Sequence, residues 1–359
     1  LALVALLMGA CSSPQDGSLA RADVGASSPP SLVLPSAVAN PRSLTGPRTA
    51  VITDRSIGHV SARANQDLPA TVTSYDRGGD QEVTVTDTSR IVAMNVSGSI
   101  AQTIAALGFA EHIVGRDAAA AFPGDDDVPV ITKDGHSINQ EAILDLQPTL
   151  VITDGSIGPV DVVTQLRDVG VPVVFVQRDP SFAGAGRLAA QVAEALGVPD
   201  EGKRLADEIE QQISAVRSQV ASLVPRDPAD RIRMLFLYIR GTAGIYYLFG
   251  DGTGAGDLID ALGGIDVVDE NGWGELTPLT DEAMVEADPD LILVMTDGLA
   301  SAGGIDGLLE SRPAVALTTA GQNRRIIDMA DRDVLSFGPQ SAAVLAALAA
   351  AVYSPGAQQ

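Results

Sequence analysis

Short apolar runs alternate with helical stretches over most of the chain. Ile91-Val92-Ala93-Met94 is an unbroken apolar run of strand length, and Ile100 to Leu107 has helical spacing that closes on Gly108, a C-cap signal. Val128-Pro129-Val130, Leu150-Val151-Ile152-Thr153 and Val171 to Val176 read as further strands with helical patterns between them. Strands alternating with helices predict parallel sheets in an α/β fold. From Glu201 to Val224 the pattern changes. Leu205, Ile209, Ile213, Val216, Val220 and Leu223 form one helical stripe that Pro225 ends. At ~1.5 Å per residue such a helix exceeds ~30 Å, enough to pass from one domain to another. A second α/β pattern starts at Met234. The expected organisation is an N-terminal α/β lobe over residues 81–200, a bridging helix over 201–225 and a C-terminal α/β lobe over 226–355.

The two halves repeat each other. Ile104-Ala105-Ala106-Leu107-Gly108 matches Ile259-Asp260-Ala261-Leu262-Gly263. Asn139-Gln140-Glu141-Ala142, then Pro148-Thr149-Leu150-Val151-Ile152, matches Thr280-Asp281-Glu282-Ala283, then Pro289-Asp290-Leu291-Ile292-Leu293. The glutamate lies seven residues before the proline in both. Three matches in one order are hard to obtain by chance.

The ends read differently. Leu1 to Met8 is apolar but shorter than the ~20 residues that span a bilayer. It reads as the apolar region of a signal peptide over residues 1–11, and Leu7-Met8-Gly9-Ala10-Cys11 resembles a lipobox, which implies a lipid anchor on Cys11. Residues 12–80 are rich in Ser, Pro, Ala, Gly and Thr without a sustained period, and are expected to form a flexible tether.

Composition removes several classes of function. Of 359 residues, 46 are acidic and 23 basic, for a net charge of −23. That balance argues against nucleic-acid binding, which depends on Lys and Arg neutralising phosphates. Three histidines (His59, His112 and His136) and one cysteine leave too few donors for a clustered zinc cage. No GxSxG or HExxH motif suggests a hydrolase. Gly250-Asp251-Gly252-Thr253-Gly254-Ala255-Gly256 lacks the spacing and the lysine of a nucleotide loop, and reads as a rim turn. Asn95-Val96-Ser97 fits a glycosylation sequon and is attributed to chance.

Arg90-Ile91-Val92-Ala93, the Leu-Gly pairs and the Glu-to-Pro-x-Leu segments together resemble the substrate-binding proteins of ABC importers for siderophores, cobalamin and haem. The resemblance covers residues 88–353. It implies two Rossmann-like lobes bridged by one long helix (the class III periplasmic-binding-protein fold), a ligand cleft between them, modest closure and no catalysis. It also implies an ABC permease with its ATPase as partners, and an extracytoplasmic, membrane-anchored location.

The strand Met234 to Gly241 points to the ligand. It is apolar at first and polar at its carboxyl end, where ligands bind in open α/β sheets. Tyr238 and Arg240 are two apart and share one side of the strand. Tyrosine is a known axial ligand of haem iron. The Tyr-x-Arg pair resembles that of haem-binding members, which implies haem b as the transported ligand, Tyr238 as an iron ligand and Arg240 as its outer partner. Gram-positive haem lipoproteins of this kind pair a first-lobe His with the second-lobe Tyr, which implies His136 as the opposite axial ligand. Arg116, Lys133, Arg178, Tyr246 and Trp273 are candidate propionate or rim contacts. Glu141 and Glu282 are the implied permease-docking pair, and upstream cell-surface haem-binding proteins are a candidate haem source. A ferric siderophore or cobalamin in the same cleft remains the alternative.

Overall fold

In the computed structural model, the structure describes residues 32, 34–36, 38–58, 65–133 and 137–354, with the side chain of Lys133 outside the description. Residues 1–11, read as a signal peptide with Cys11 as its lipid anchor, and also His59 and His136, lie outside the described residues.

Two strands precede the expected first lobe, β1 (Arg48–Ala50) and β2 (Ala70–Ser74), and β3 (Gln81–Val85) opens it. The first lobe contains β4 (Ile91–Met94), β5 (Ile113–Arg116), β6 (Thr132–Lys133), β7 (Ser137–Ile138), β8 (Leu150–Thr153) and β9 (Val173–Phe175). The second contains β10 (Arg233–Arg240), β11 (Ile245–Phe249), β12 (Ile265–Asp266), β13 (Leu276–Pro278), β14 (Leu291–Met295) and β15 (Ile326–Met329). The first-lobe sheet is parallel, in the order β5-β4-β8-β9. The second runs β1-β15-β14-β10-β11-β13 and is parallel up to β10, with β11 and β13 antiparallel at the far edge. The apolar runs at Ile91–Met94, Leu150–Thr153 and Leu291–Val294 are fully buried, as strands covered on both faces must be. Val128-Pro129-Val130 forms no strand. It contributes one isolated bridge, Arg116 to Val130, because proline removes a ladder donor there.

The helix Pro199–Leu223 lies between the two sheets in the chain, opening on Pro199 at its first position, where the missing N–H costs nothing. Leu205, Ile209, Ile213, Val216 and Val220 are buried, so the apolar stripe is the face that packs. It joins a core that includes residues of both lobes, while two smaller cores lie behind the individual sheets.

The expectation of a tether over residues 12–80 is corrected for the described part of that segment. β1 pairs in parallel with β15 and extends the second-lobe sheet. Thr49 donates to Asp328 at 2.8 Å, Arg42 pairs with Asp290 at 2.9 Å, and Ile52 and Ile57 are buried in the main core. The Leu34 N–H donates to Gln219 of the long helix at 3.0 Å. β2 and β3 form a hairpin against the first lobe, where the Tyr75 N–H donates to the Phe175 carbonyl at 2.8 Å. The chain therefore crosses between lobes twice, once before β2 and once through the long helix. These pieces are too short to show a hydrophobic period, and their partners are remote in sequence. Replacing Ile52 by alanine should cost about 2–5 kcal/mol, as for other buried aliphatic truncations. A denaturant midpoint equal to that of the unaltered protein would show that this segment is not part of the fold.

Candidate functional site

A cleft of about 990 Å³ opens where the carboxyl ends of the parallel strands of both sheets meet. Small-molecule sites commonly span ~300–1,000 Å³. One wall carries residues just past β4, β8 and β9: Asn95 to Ser97, Asp154, and Gln177 to Asp179. The other carries Tyr238 and Arg240 of β10, Ile245, Tyr247 and Phe249 of β11, and residues after β14 and β15.

Strand alternation and register build the second wall. Tyr238 pairs with Tyr247 across the antiparallel β10–β11 ladder, so the even positions of β10 share a face with the odd positions of β11. The Tyr238 ring stacks on Phe249 (4.9 Å between centroids, planes 10° apart), and Phe249 stacks in turn on the buried Phe236 at 5.6 Å. This ladder fixes the Tyr238 ring while leaving the residue half-buried in the cleft. The Arg240 guanidinium lies 4.6 Å from the Tyr238 ring centroid. It donates to the Ile239 carbonyl at 2.9 Å and faces Asp331 at 3.5 Å. Arg240 thus covers the face of the ring and makes no hydrogen bond to the phenol oxygen. Gly241 ends the strand beside it: a Cβ there would lie 2.5 Å from the Ser301 carbonyl oxygen, so only glycine allows this approach.

The first-lobe wall is a polar network. The Asn95 amide donates to Ser97 Oγ at 2.8 Å and Ser99 Oγ at 2.9 Å, and its oxygen accepts the Ile100 N–H at 3.2 Å. The Asn95 N–H donates to Asp117 Oδ2 at 3.0 Å. The sequon therefore coincides with a cleft-wall turn, a role that its sequence does not reveal. Burial pushes the Asp117 carboxyl up to about 6, against backbone hydrogen bonds that pull the other way.

The remaining candidates separate. Arg178 is exposed in the cleft. Arg116 is not in the cleft. It holds the neighbouring loop through the Ala120 carbonyl at 3.0 Å and Asp125 at 3.6 Å. Tyr246 points to the opposite face of the sheet, buried in the core behind it, with Arg312 at 3.9 Å from its ring centroid. Trp273 packs on that same core and does not line the cleft. Register decides the tyrosines: Tyr247, not Tyr246, shares a face with Tyr238. The backbone of Lys133 pairs with Ser137 in the two-stranded β6–β7 ladder, and His136 precedes Ser137 in the chain. Thr132 of that ladder accepts the Ala118 N–H at 3.2 Å, and Ala118 lines the cleft. Arg332 also lines the cleft and is exposed; nothing in its local sequence marks it. Glu141 and Glu282 are exposed at the second position of the matched helices Gln140–Asp145 and Asp281–Ala287, capped by Asn139 and Thr280.

Two α/β lobes, a bridging helix and a cleft at the strand ends define a ligand-capturing protein. The chain belongs to the periplasmic binding protein family, whose pattern matches residues 94–332. It is 24% identical over 297 residues to the uncharacterised ABC transporter substrate-binding lipoprotein YvrC of Bacillus subtilis (strain 168), an alignment that covers 81% of this chain and 89% of that one. Its fold is similar to the crystal structure of the haem-binding protein HmuT, with TM-score 0.82, 39% identity, and coverage of 88% of this chain and 100% of that one. It is also similar to the periplasmic haem-binding protein RhuT from Roseiflexus sp. RS-1 in its apo form, with TM-score 0.68, 37% identity, and coverage of 74% of this chain and 98% of that one. Among the described residues, no helix is long and apolar enough to cross a membrane.

Proposed function

We propose that this protein captures ferric haem in the cleft between its lobes and delivers it to the permease of an ABC importer, catalysing no reaction itself. The observation that carries this reading is Tyr238. A phenol lining the cleft, on a ring held by an aromatic ladder and a guanidinium, is a fixed hard donor for ferric iron. Tyr247, Phe249, Ile245 and Leu276 surround it with the apolar surface that a porphyrin face requires. The similarity to the haem-binding proteins HmuT and RhuT supports the same ligand.

His136 is the second axial ligand in this reading, supported by the hydrogen bond from the cleft-lining Ala118 to Thr132, in the β6–β7 ladder whose Ser137 follows His136 in the chain. Arg178 and Arg332 supply cations at the cleft for the carboxylates of haem. Lys133 stays a candidate for the same task. Cys11 carries the lipid that holds the protein at the outer face of the membrane, Glu141 and Glu282 dock the permease, and haem arrives from upstream surface haem-binding proteins. Titrating the purified protein with ferric haem should yield a saturable complex with an intense absorption band near ~400 nm, the signature of side-chain ligation. Failure to bind haem, with tight binding of a ferric siderophore or cobalamin instead, would overturn the proposal.

A further inference from the structure

A second recess of about 540 Å³ opens beside the cleft, lined by Tyr75, Arg77, Asp154, Gly155, Gln177 and Arg178 among others. It shares Asp154, Gln177, Arg178 and Asp179 with the cleft wall, so the two are contiguous. Arg77 comes from the turn between β2 and β3, inside the segment whose sequence reads as tether. That turn is fixed firmly. The Tyr75 N–H donates to the Phe175 carbonyl at 2.8 Å, the Phe175 N–H donates to the buried Ser74 Oγ at 2.9 Å, and Asp76 is ion-paired with Arg167. Arg77 makes one hydrogen bond, to the Gly155 carbonyl at 3.2 Å.

Charge makes this unusual. The chain carries a net −23, and its arginines are mostly tied to carboxylates or carbonyls. Among the described residues, neither Arg77 nor Arg178 has a carboxylate within ion-pair distance, although both line the recess. Of the two acids there, neither is paired with Arg77, and Arg178 acts on Asp154 only through its charge. Asp179 is engaged by Arg187 and accepts from Ser181 Oγ at 2.7 Å. Asp154 is half-buried and accepts the Ser156 N–H at 2.9 Å; desolvation raises its carboxyl, against the Ser156 hydrogen bonds and the charge of Arg178.

Resting on the haem reading, the geometry points to this recess as an annex that receives a carboxylate arm of the porphyrin, with Arg77 as its specificity-determining residue beside Arg178. Guanidinium forks match carboxylates geometrically, and an otherwise acidic protein gains most from cations placed where the ligand's charges lie. The annex would therefore distinguish a porphyrin with free carboxylates from one whose carboxylates are esterified.

The test compares ferric haem with its dimethyl ester, titrated into the full protein and into Arg77→Ala, Arg77→Lys and Arg178→Ala variants. Arg77→Ala should weaken haem about five- to tenfold, the scale of one partly exposed charge-assisted contact, while binding the ester as the unaltered protein does. Arg77→Lys should recover part of the loss. An equal loss for both ligands would make Arg77 a structural clamp on Gly155, and no loss for haem would place its carboxylates elsewhere; either result overturns the annex alone. If the unaltered protein binds neither ligand, the haem reading fails and the annex with it.

Discussion

Tyr238→Ala is expected to lose more than about 100-fold in ferric haem affinity, beyond the ~10–100-fold typical of removing an outer partner of a metal ligand. The phenolate would supply both an iron bond and a negative charge against ferric iron, from a ring that the Phe249 stack and the Arg240 guanidinium hold in place. Phe249 and Phe236 hold the ring by stacking, so its removal also opens a gap in the ladder. His136→Ala should retain binding with an altered absorption spectrum, since the tyrosine bond persists, and the double variant should lose specific binding. Arg240→Ala should keep ligation but shift the spectrum, because it removes the cation over the ring and leaves Asp331 without it. Absorption titrations of the four variants decide the matter. Unaltered spectra for both Tyr238→Ala and His136→Ala would remove these residues from the coordination sphere and bring the siderophore reading forward.

Reversing charge at both Glu141 and Glu282 should abolish haem uptake in cells while leaving haem affinity unchanged. Both glutamates are exposed, each occupies the second position of a short helix, and the helices are capped alike through Asn139 accepting the Ala142 N–H at 3.3 Å and Thr280 accepting the Ala283 N–H at 3.1 Å. A charge near a helix N-terminus contributes only ~0.3–1 kcal/mol to stability, so the double variant should fold. Its effect would then lie in docking to a two-fold permease with one basic patch per half. Uptake by the Glu141→Arg, Glu282→Arg protein at the normal rate would dismiss this pair as the docking surface.

The two tyrosines of β11 show where sequence reasoning stops. Alternation along a strand places Tyr246 and Tyr247 on opposite faces, and that much is local. Which face meets the cleft depends on the pairing of Tyr238 with Tyr247 across a turn, and on which side the core covers. Trp273 fails for the same reason: its glycine-rich surroundings suggest a rim, but its indole packs against the core behind the sheet. Arg116 stands at a strand end as expected, yet the loop that follows consumes its hydrogen bonds.

Periodic features were determined by the sequence itself. The buried stripe of the long helix, the apolar strands, the repeated helix starts with Glu141 and Glu282, and the common side of Tyr238 and Arg240 all follow from side-chain spacing over a few residues. Tertiary structure alone decided the rest. β1 and the β2–β3 hairpin are too short to carry a period, and they take their form from Asp328, Phe175 and the core, far away in sequence. The hairpin brings Arg77 to Gly155, and a separate contact remote in sequence turns Asn95 into a cleft wall against Asp117. Local spacing encodes which residues share a face. Only the packed neighbours, which exclude water from one face and leave the other open, decide what that face becomes.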